Sequence, residues 1–291
     1  MSKIIIVSKT KMANNHVCVG GIDLDNKISV RLLDTNGYHE SADTCPFKIR
    51  DTWDIEYSRH NQRPLPHSED VRVISKKKTG ELKNEISILD LLNRIQFRIY
   101  QGGILNTFEG KLKSTDSGTL YISGDSVPKY STCFWVCDRE IKRNDYQNKI
   151  RYNYVAQTIF NTTMTVEHFK RNIGTKKLHL KSSATSGKGF VTDDAGNVVA
   201  ALSNKITQAS DLKDPIIGIF DNGIACLCNQ SETGITSNDK TRRWGYNIAY
   251  VGLEENPAQI IPQGTLVRLS LAHWWLHEGE EKCFLQLSGW Y

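Results

Sequence analysis

Histidine stands close to carboxylate residues in three stretches of the chain, and this pairing can serve acid–base catalysis or metal binding. The stretches are residues 37–43 with His39, residues 63–70 with His67 and residues 273–278 with His273. Polar loops that are held by their own side-chain hydrogen bonds show the same residue pattern. Two interpretations therefore stay open: structural loops, or a pocket near His39, His67 and His273 that senses or processes a nucleotide.

The motifs of the commonest nucleotide-using and hydrolytic enzymes are missing from the sequence. It contains no GxxxxGKS/T, no strand-linked GxGxxG, no HExxH and no GxSxG. The stretch TSGKG at residues 185–189 lacks the upstream glycine and the following helix of a phosphate-binding loop, and it is typical of a hairpin. We therefore predict no catalytic residue and no cofactor.

The seven cysteines do not follow the spacing of a structural zinc site. Cys133 and Cys137 lie in an apolar run, and Cys226 and Cys228 flank Leu227, whereas zinc knuckles need paired CxxC motifs. We predict buried thiols and no metal. An odd cysteine count favours a reducing compartment. Because no apolar segment has the length of a signal peptide or a membrane span, we expect a cytoplasmic protein without a membrane partner.

Basic residues concentrate in one part of the chain, although the formal net charge of the whole is only +5. Residues 139–190 hold eleven Lys and Arg against three Asp and Glu, whereas residues 191–291 hold seven against twelve. Tyrosines lie between these cations. Single-stranded nucleic acid binds to such a combination because bases stack on rings while phosphates contact cations. In this segment we expect contacts from Arg151, Tyr152, Tyr154, Lys170, Arg171, Lys176, Lys177, Lys181 and Lys188.

The same segment has a simpler interpretation, in which the tyrosines face a core and the lysines are a solvated surface. A second basic cluster, Arg242 and Arg243 beside Trp244, follows a polar loop. Its arginines are suited to gripping a phosphodiester and its indole to stacking on a base. An ordinary surface loop is the alternative for this cluster.

Short runs of Val, Ile, Tyr and Phe between Gly, Asn and Asp predict a mainly β protein. The fourteen predicted strands are residues 4–7, 17–19, 29–33, 53–57, 71–74, 119–122, 133–136, 190–192, 198–202, 216–220, 225–227, 248–251, 266–271 and 283–287. Two short helices are also expected. One starts at the N-cap Ser87 and continues through Ile99, and the other starts at Thr165 and stops at Gly174.

A turn-forming stretch at residues 123–128 is the expected domain boundary. It divides the chain into residues 1–125 and residues 126–291, and the second part carries the basic segment 139–190. Each part has the inventory of a small closed barrel of the OB type, a five-stranded fold that often binds oligonucleotides. A β-sandwich has much the same inventory.

Motifs near both ends of the chain carry a family resemblance. They are VCVGGID at residues 17–23 with VRLL at 30–33, RPLPH at 63–67, RLSLAHWW at 268–275 and CFLQLSGWY at 283–291. Together they resemble prokaryotic dual-OB domain proteins. The resemblance implies two OB-type barrels in a cytoplasmic protein, a nucleic-acid-binding role and association with defence against phage or other mobile elements.

The leading hypothesis is a non-catalytic module that recognises single-stranded or structured RNA or DNA for a prokaryotic defence complex. A second hypothesis is the nucleotide-sensing or nucleotide-processing protein with the histidine pocket. A third is a structural subunit that docks a partner protein through its aromatic C-terminal hairpin.

Overall fold

The computed structural model of the chain describes twelve stretches of the sequence. They are residues 1–59, 64–115, 118–159, 163–164, 178–182, 188–193, 198–205, 216–219, 225–231, 234–237, 242–277 and 279–291.

The first third of the chain forms a closed five-stranded barrel. The strands in this region are β1 (Ser2–Lys11), β2 (His16–Asp23), β3 (Ile28–Leu33), β4 (Glu40–Ser41), β5 (Asp51–Arg59) and β6 (Asp70–Glu81), and all of them except β4 close the barrel. The order is β1-β5-β6-β3-β2, β1 also pairs with β2, and the short β4 is added beside β2. Strands β3 and β6 are parallel, whereas the other barrel neighbours are antiparallel. This connectivity is that of the Greek-key OB barrel.

Strand β1 is buried on both faces, which explains its run of four apolar residues. Ile4 and Ile6 point into the barrel core, whereas Ile5 and Val7 pack outside the barrel in a second core. Since neighbouring side chains on a strand point to opposite faces, one continuous apolar run can supply two cores. The second core also contains Ile88, Leu92, Phe134 and Leu266.

A single α-helix occurs among the described residues, α1 (Ile88–Arg94). Its N-cap is Ser87, whose hydroxyl accepts from the backbone N–H of Asp90, while the Asp90 carboxylate accepts from the backbone N–H of Ser87. The predicted start is confirmed. The helix ends at Arg94, earlier than predicted, because Gln96 has a φ of 57° and the backbone N–H of Phe97 turns back to the carbonyl of Leu92. The predicted helix at Thr165 lies outside the described residues.

The remaining strands follow α1. They are β7 (Ile99–Tyr100), β8 (Lys113–Ser114), β9 (Leu120–Ser123), β10 (Thr132–Val136), β11 (Ile141–Arg143), β12 (Arg151–Ile159), β13 (Thr163–Met164), β14 (Leu178–Ser182), β15 (Lys188–Asp193), β16 (Val198–Lys205), β17 (Ile216–Ile219), β18 (Ala225–Ser231), β19 (Gly234–Ser237), β20 (Arg242–Tyr250), β21 (Ile260–Ile261), β22 (Leu266–Leu271), β23 (Trp275–His277) and β24 (Glu280–Trp290). Each of the fourteen predicted strands overlaps one in the structure.

The large second sheet has the order β21-β11-β12-β20-β24-β22-β10-β7 and curls into a half-barrel. Smaller sheets have the orders β14-β15-β16 and β13-β19-β18-β17. The protein is therefore mainly β with two OB-like domains, as predicted.

The chain divides into two compact units. The first unit comprises Met1–Leu112, Tyr121–Tyr152 and Ile248–Tyr291, and the second comprises Lys113–Leu120 and Asn153–Asn247. The sites analysed below lie within the first unit. The predicted domain boundary after residue 125 lies between β6, which is the last strand of the barrel, and β10. This boundary stays a prediction. Within the described ranges, no helix is long and apolar enough to cross a membrane.

Candidate functional site

An aromatic and basic groove lies beside β3, β5 and β7 in the first unit. Its cavity has a volume of about 280 Å³. We call it the aromatic groove, and it is defined by the half-buried rings of Tyr57, Phe97, Tyr100 and Tyr130 and by the exposed cations Lys27, Arg59 and Arg98. Flat rings beside mobile positive charges are suited to stacking and to anion contact at the same place.

Arg98 is the centre of the basic and aromatic contacts in the groove. Its guanidinium carbon lies 4.6 Å from the centre of the Tyr100 ring and 5.9 Å from that of Tyr130. The hydroxyl groups of the two tyrosines are hydrogen-bonded to each other. Burial raises the pKa of Tyr100, so the ring stays neutral at physiological pH. The two rings and the cation therefore form one pre-arranged platform.

The Tyr57 ring is fixed at the other side of the groove. Its hydroxyl donates to Asp23 Oδ2 at 2.6 Å, and burial followed by this hydrogen bond raises the pKa of Tyr57 to about 12. Burial acts to raise the pKa of Asp23, but the hydrogen bonds from Tyr57 and Asn26 outweigh it and lower that pKa. The Asp23 carboxylate thereby links the ring to the β2–β3 turn that carries Lys27.

A buried polar network lies behind the groove. Arg31 donates to Asp70 Oδ1 at 2.7 Å and to Ser131 Oγ at 2.9 Å. The Glu69 carboxylate accepts from the backbone N–H of Ser131 at 2.6 Å and from that of Thr132 at 2.9 Å. Glu69 is the carboxylate in the groove wall. Both backbone N–H groups bind its Oε1, and its Oε2 accepts from the Ser131 hydroxyl at 2.9 Å. The network thus joins β3 and β6 of the barrel to the start of β10.

A second cavity, of about 210 Å³, lies on the Arg31 side of the network. We call it the histidine cavity, because His39, His67 and His273 line it together with Lys11, Arg31 and Arg268. The ring centres of His67 and His273 are 4.9 Å apart, and those of His39 and His273 are 6.3 Å apart. The structure therefore brings together the three histidines of the pocket hypothesis, while the ligand stays a prediction.

Metal binding at the histidine cavity has no support in the geometry. No group of three or more His, Cys, Asp or Glu residues suited to a metal ion is found in the described part of the chain. Cys133 and Cys137 are buried, which confirms them as core thiols. Burial raises the pKa of Cys137 to about 12, so its thiolate form is scarce.

The rings of Tyr152 and Tyr154, which we expected to stack on bases, are buried in the protein. Tyr152 is 0% exposed, packs 5.7 Å from the Trp290 ring and donates its hydroxyl to the carbonyl of Ala258. Tyr154 is 4% exposed and stacks on Tyr246 at 6.0 Å. Both rings agree with the alternative interpretation of the sequence, in which the tyrosines face a core. Since neither ring offers a free face, we leave both out of the interface proposed below.

Arg151 is half-buried, and its guanidinium lies 5.1 Å from the ring of the exposed Tyr146. The other candidates are placed less completely. The backbone of Lys181 lies in β14 and that of Lys188 in β15. The backbone of β20 contains Arg242, Arg243 and Trp244. Lys170, Arg171, Lys176 and Lys177 lie outside the described residues. The binding roles of all these residues stay predictions.

The sequence reasoning missed the aromatic groove because its residues come from four separate segments. One local signal was present. The sequence Phe97-Arg98-Ile99-Tyr100 alternates aromatic, basic and apolar residues directly after α1, but the helical spacing of Ile95 and Ile99 predicts the end of a helix there.

Comparison with known proteins gives one match. The family model described as dual OB-containing domain matches residues 2–185, which is more than half of the chain. Neither the characterised proteins nor the solved structures give a match.

Proposed function

The chain belongs to the dual OB-containing domain family, and from that premise we propose that it binds single-stranded or structured nucleic acid through the aromatic groove. OB folds commonly bind oligonucleotides. The observation that carries the proposal is the arrangement of Arg98 over Tyr100 and Tyr130 in a groove with exposed Lys27 and Arg59.

The shape of the aromatic groove favours unpaired bases. Stacking on a tyrosine or phenylalanine ring needs a free base face, and the faces of a base inside a duplex are covered by its neighbours. Exposed Lys27, Arg59 and Arg98 are placed to contact the phosphates on either side of a stacked base. Within the described residues, neither Lys27 nor Arg59 has an ion pair that would compete with a phosphate.

Binding assays at two salt concentrations test the proposal. Labelled single-stranded and duplex RNA and DNA are titrated with the full chain at about 50 and 200 mM salt, where release of counterions makes several phosphate contacts visible as a steep loss of affinity. We expect single strands to bind more tightly than duplexes, with strong dependence on salt. Absence of binding to all four ligands at low salt would overturn the proposal.

The basic segment 139–190 supplies a second set of phosphate contacts in this proposal. Reversing the charges of five of its residues is expected to weaken binding to a similar extent for every base sequence and to flatten the dependence on salt. The residues are Lys170, Arg171, Lys176, Lys177 and Lys181. Filter binding with several oligonucleotide sequences measures both effects. Unchanged affinity would remove this segment from the interface.

We also propose a cellular role, in which the protein is the non-catalytic recognition subunit of a cytoplasmic prokaryotic defence complex. The family membership supports nucleic-acid recognition, and the charge of the basic segment supports a polyanionic target. One observation supports the proposal of a protein partner. The apolar side chains of Trp275 and Leu276 on β23 are 67% and 69% exposed, as at a surface that binds another protein. Affinity purification of Trp275→Ala beside the native chain tests for a partner, and an infection assay of a deletion strain tests the defence role.

A further inference from the structure

We propose that the histidine cavity is a second binding site, for the phosphate group of a phosphate monoester. It is separate from the aromatic groove and does not depend on nucleic-acid binding there. Its wall combines two buried arginines, three histidines and one exposed lysine. No Asp or Glu belongs to that wall in the part of the chain that the structure describes.

Arg268 on β22 is the strongest indication of an anionic ligand. Its residue is 5% exposed, and its Nη1 donates to Ser288 Oγ at 3.1 Å. Its Nε is buried and, among the described residues, has no hydrogen-bond partner. Burial lowers the pKa of Arg268, and the nearby positive charge of Arg31 acts in the same direction. A buried guanidinium in this position is costly unless an anion compensates it.

The local structure makes room for this guanidinium. A Cβ atom on Gly20 of β2 would lie 2.6 Å from Arg268 Nη2 and 2.4 Å from Ser8 Oγ. A side chain at position 20 would therefore displace the guanidinium or the Ser8 hydroxyl from its present place. The close approach places Arg268 beside β2, which is followed along the chain by β3 with Arg31.

The arrangement of donors suits a phosphate group. Phosphate oxygens accept hydrogen bonds from several directions, guanidinium groups bind them as planar forks, and each imidazole can donate one N–H. Arg268 provides such a fork, whereas Nη1 and Nη2 of Arg31 already donate to Asp70 and Ser131. The Arg31 charge is already matched by Asp70 at 2.7 Å. Among the described residues no carboxylate forms an ion pair with Arg268, and the charge of Glu69 acts on it only from a greater distance. A bound phosphate would supply the missing negative charge.

The size and opening of the cavity limit the ligand. A volume of about 210 Å³ is smaller than the roughly 300–1,000 Å³ of typical ligand pockets, so it holds a phosphate group with only part of its substituent. His67 is buried, whereas Lys11 and His273 are exposed, which places the entrance beside the latter two. Both a free nucleoside monophosphate and the 5′-phosphate at the end of a strand have this chemistry.

Calorimetric titration of the full chain tests the inference and distinguishes these sources. The probes are inorganic phosphate, adenosine 5′-monophosphate, and one oligonucleotide with either a 5′-phosphate or a 5′-hydroxyl. Tighter binding of the 5′-phosphorylated strand supports a strand end as ligand. Binding of phosphate and the mononucleotide without such a preference supports a free nucleotide. The inference is overturned if neither inorganic phosphate nor the mononucleotide binds and if the 5′-phosphate does not change the affinity for the oligonucleotide.

Arg268→Met separates ligand binding from folding. Methionine keeps much of the side-chain volume and removes the uncompensated charge, so we expect an equal or higher melting temperature together with at least a tenfold loss of phosphate affinity. His273→Ala at the entrance should weaken binding several-fold, and His16→Ala outside the cavity is the matched control. Unchanged affinity in Arg268→Met would overturn the site.

Repeating the titration with the charges of Lys27, Arg59 and Arg98 reversed shows whether phosphate binding survives loss of the aromatic groove.

Discussion

Reversing the charges of Lys27, Arg59 and Arg98 to glutamate together is expected to lower the affinity for single-stranded oligonucleotides at least tenfold at low salt. Each single-strand phosphate contact contributes about 0.7 to the slope of log affinity against log salt, so losing three contacts should reduce that slope by about 2. Fluorescence anisotropy at four or more salt concentrations measures both quantities. All three side chains are exposed, so we expect the overall fold to be retained while the contacts of Arg98 with Tyr100 and Tyr130 are lost.

A matched triple variant controls for the general change in charge. Lys77, Lys83 and Arg94 are also exposed, and none of them lines the aromatic groove. Reversing them to glutamate changes the net charge by the same amount as the groove variant. An equal loss of affinity in the two triple variants would show that binding follows the overall field of the protein and would contradict the groove assignment.

Replacing Arg31 with methionine is expected to lower the free energy of unfolding by about 3–5 kcal/mol. Removal of one partner from a buried ion pair leaves the other charge uncompensated, and such changes are strongly destabilising. Here the group that loses its ion pair is Asp70, which is 1% exposed and accepts from Arg31 at 2.7 Å. Urea unfolding followed by circular dichroism measures the loss as a lower midpoint.

The double variant Arg31→Met with Asp70→Leu tests the cause of that loss. Replacing both partners of a buried pair by apolar residues is often close to neutral, and Glu69 keeps its hydrogen bonds from Ser131 and Thr132. We therefore expect the double variant to be more stable than Arg31→Met alone. A double variant that is at least as unstable as the single one would show that the ion pair is not the source of the effect.

Local sequence patterns were sufficient for the fold class. The alternation of apolar residues located the strands, and the Ser87 capping box located the start of α1. The end of α1 was overestimated because Ile95 and Ile99 continue the helical spacing. Ile99 instead pairs with Phe134 in a parallel β bridge, and no local pattern signals a partner 35 residues away.

The candidate sites depend on contacts that sequence spacing does not contain. Arg31 lies opposite Asp70 only because β3 and β6 are parallel neighbours in the closed barrel. Tyr152 and Tyr154 share one face of β12, since they are two residues apart, but whether that face is core or solvent depends on strands far along the chain. The histidines were recognisable one by one, whereas their convergence required the fold.

Photochemical crosslinking to a bound single strand tests the central claim most directly. The full chain is irradiated with a halogenated oligonucleotide, and the modified peptides are identified by mass spectrometry. If bases stack in the aromatic groove, the crosslinks should fall on Phe97, Tyr100 or Tyr130 and disappear when Lys27, Arg59 and Arg98 are reversed. Crosslinks confined to other segments, such as the one containing Trp244, would contradict the account.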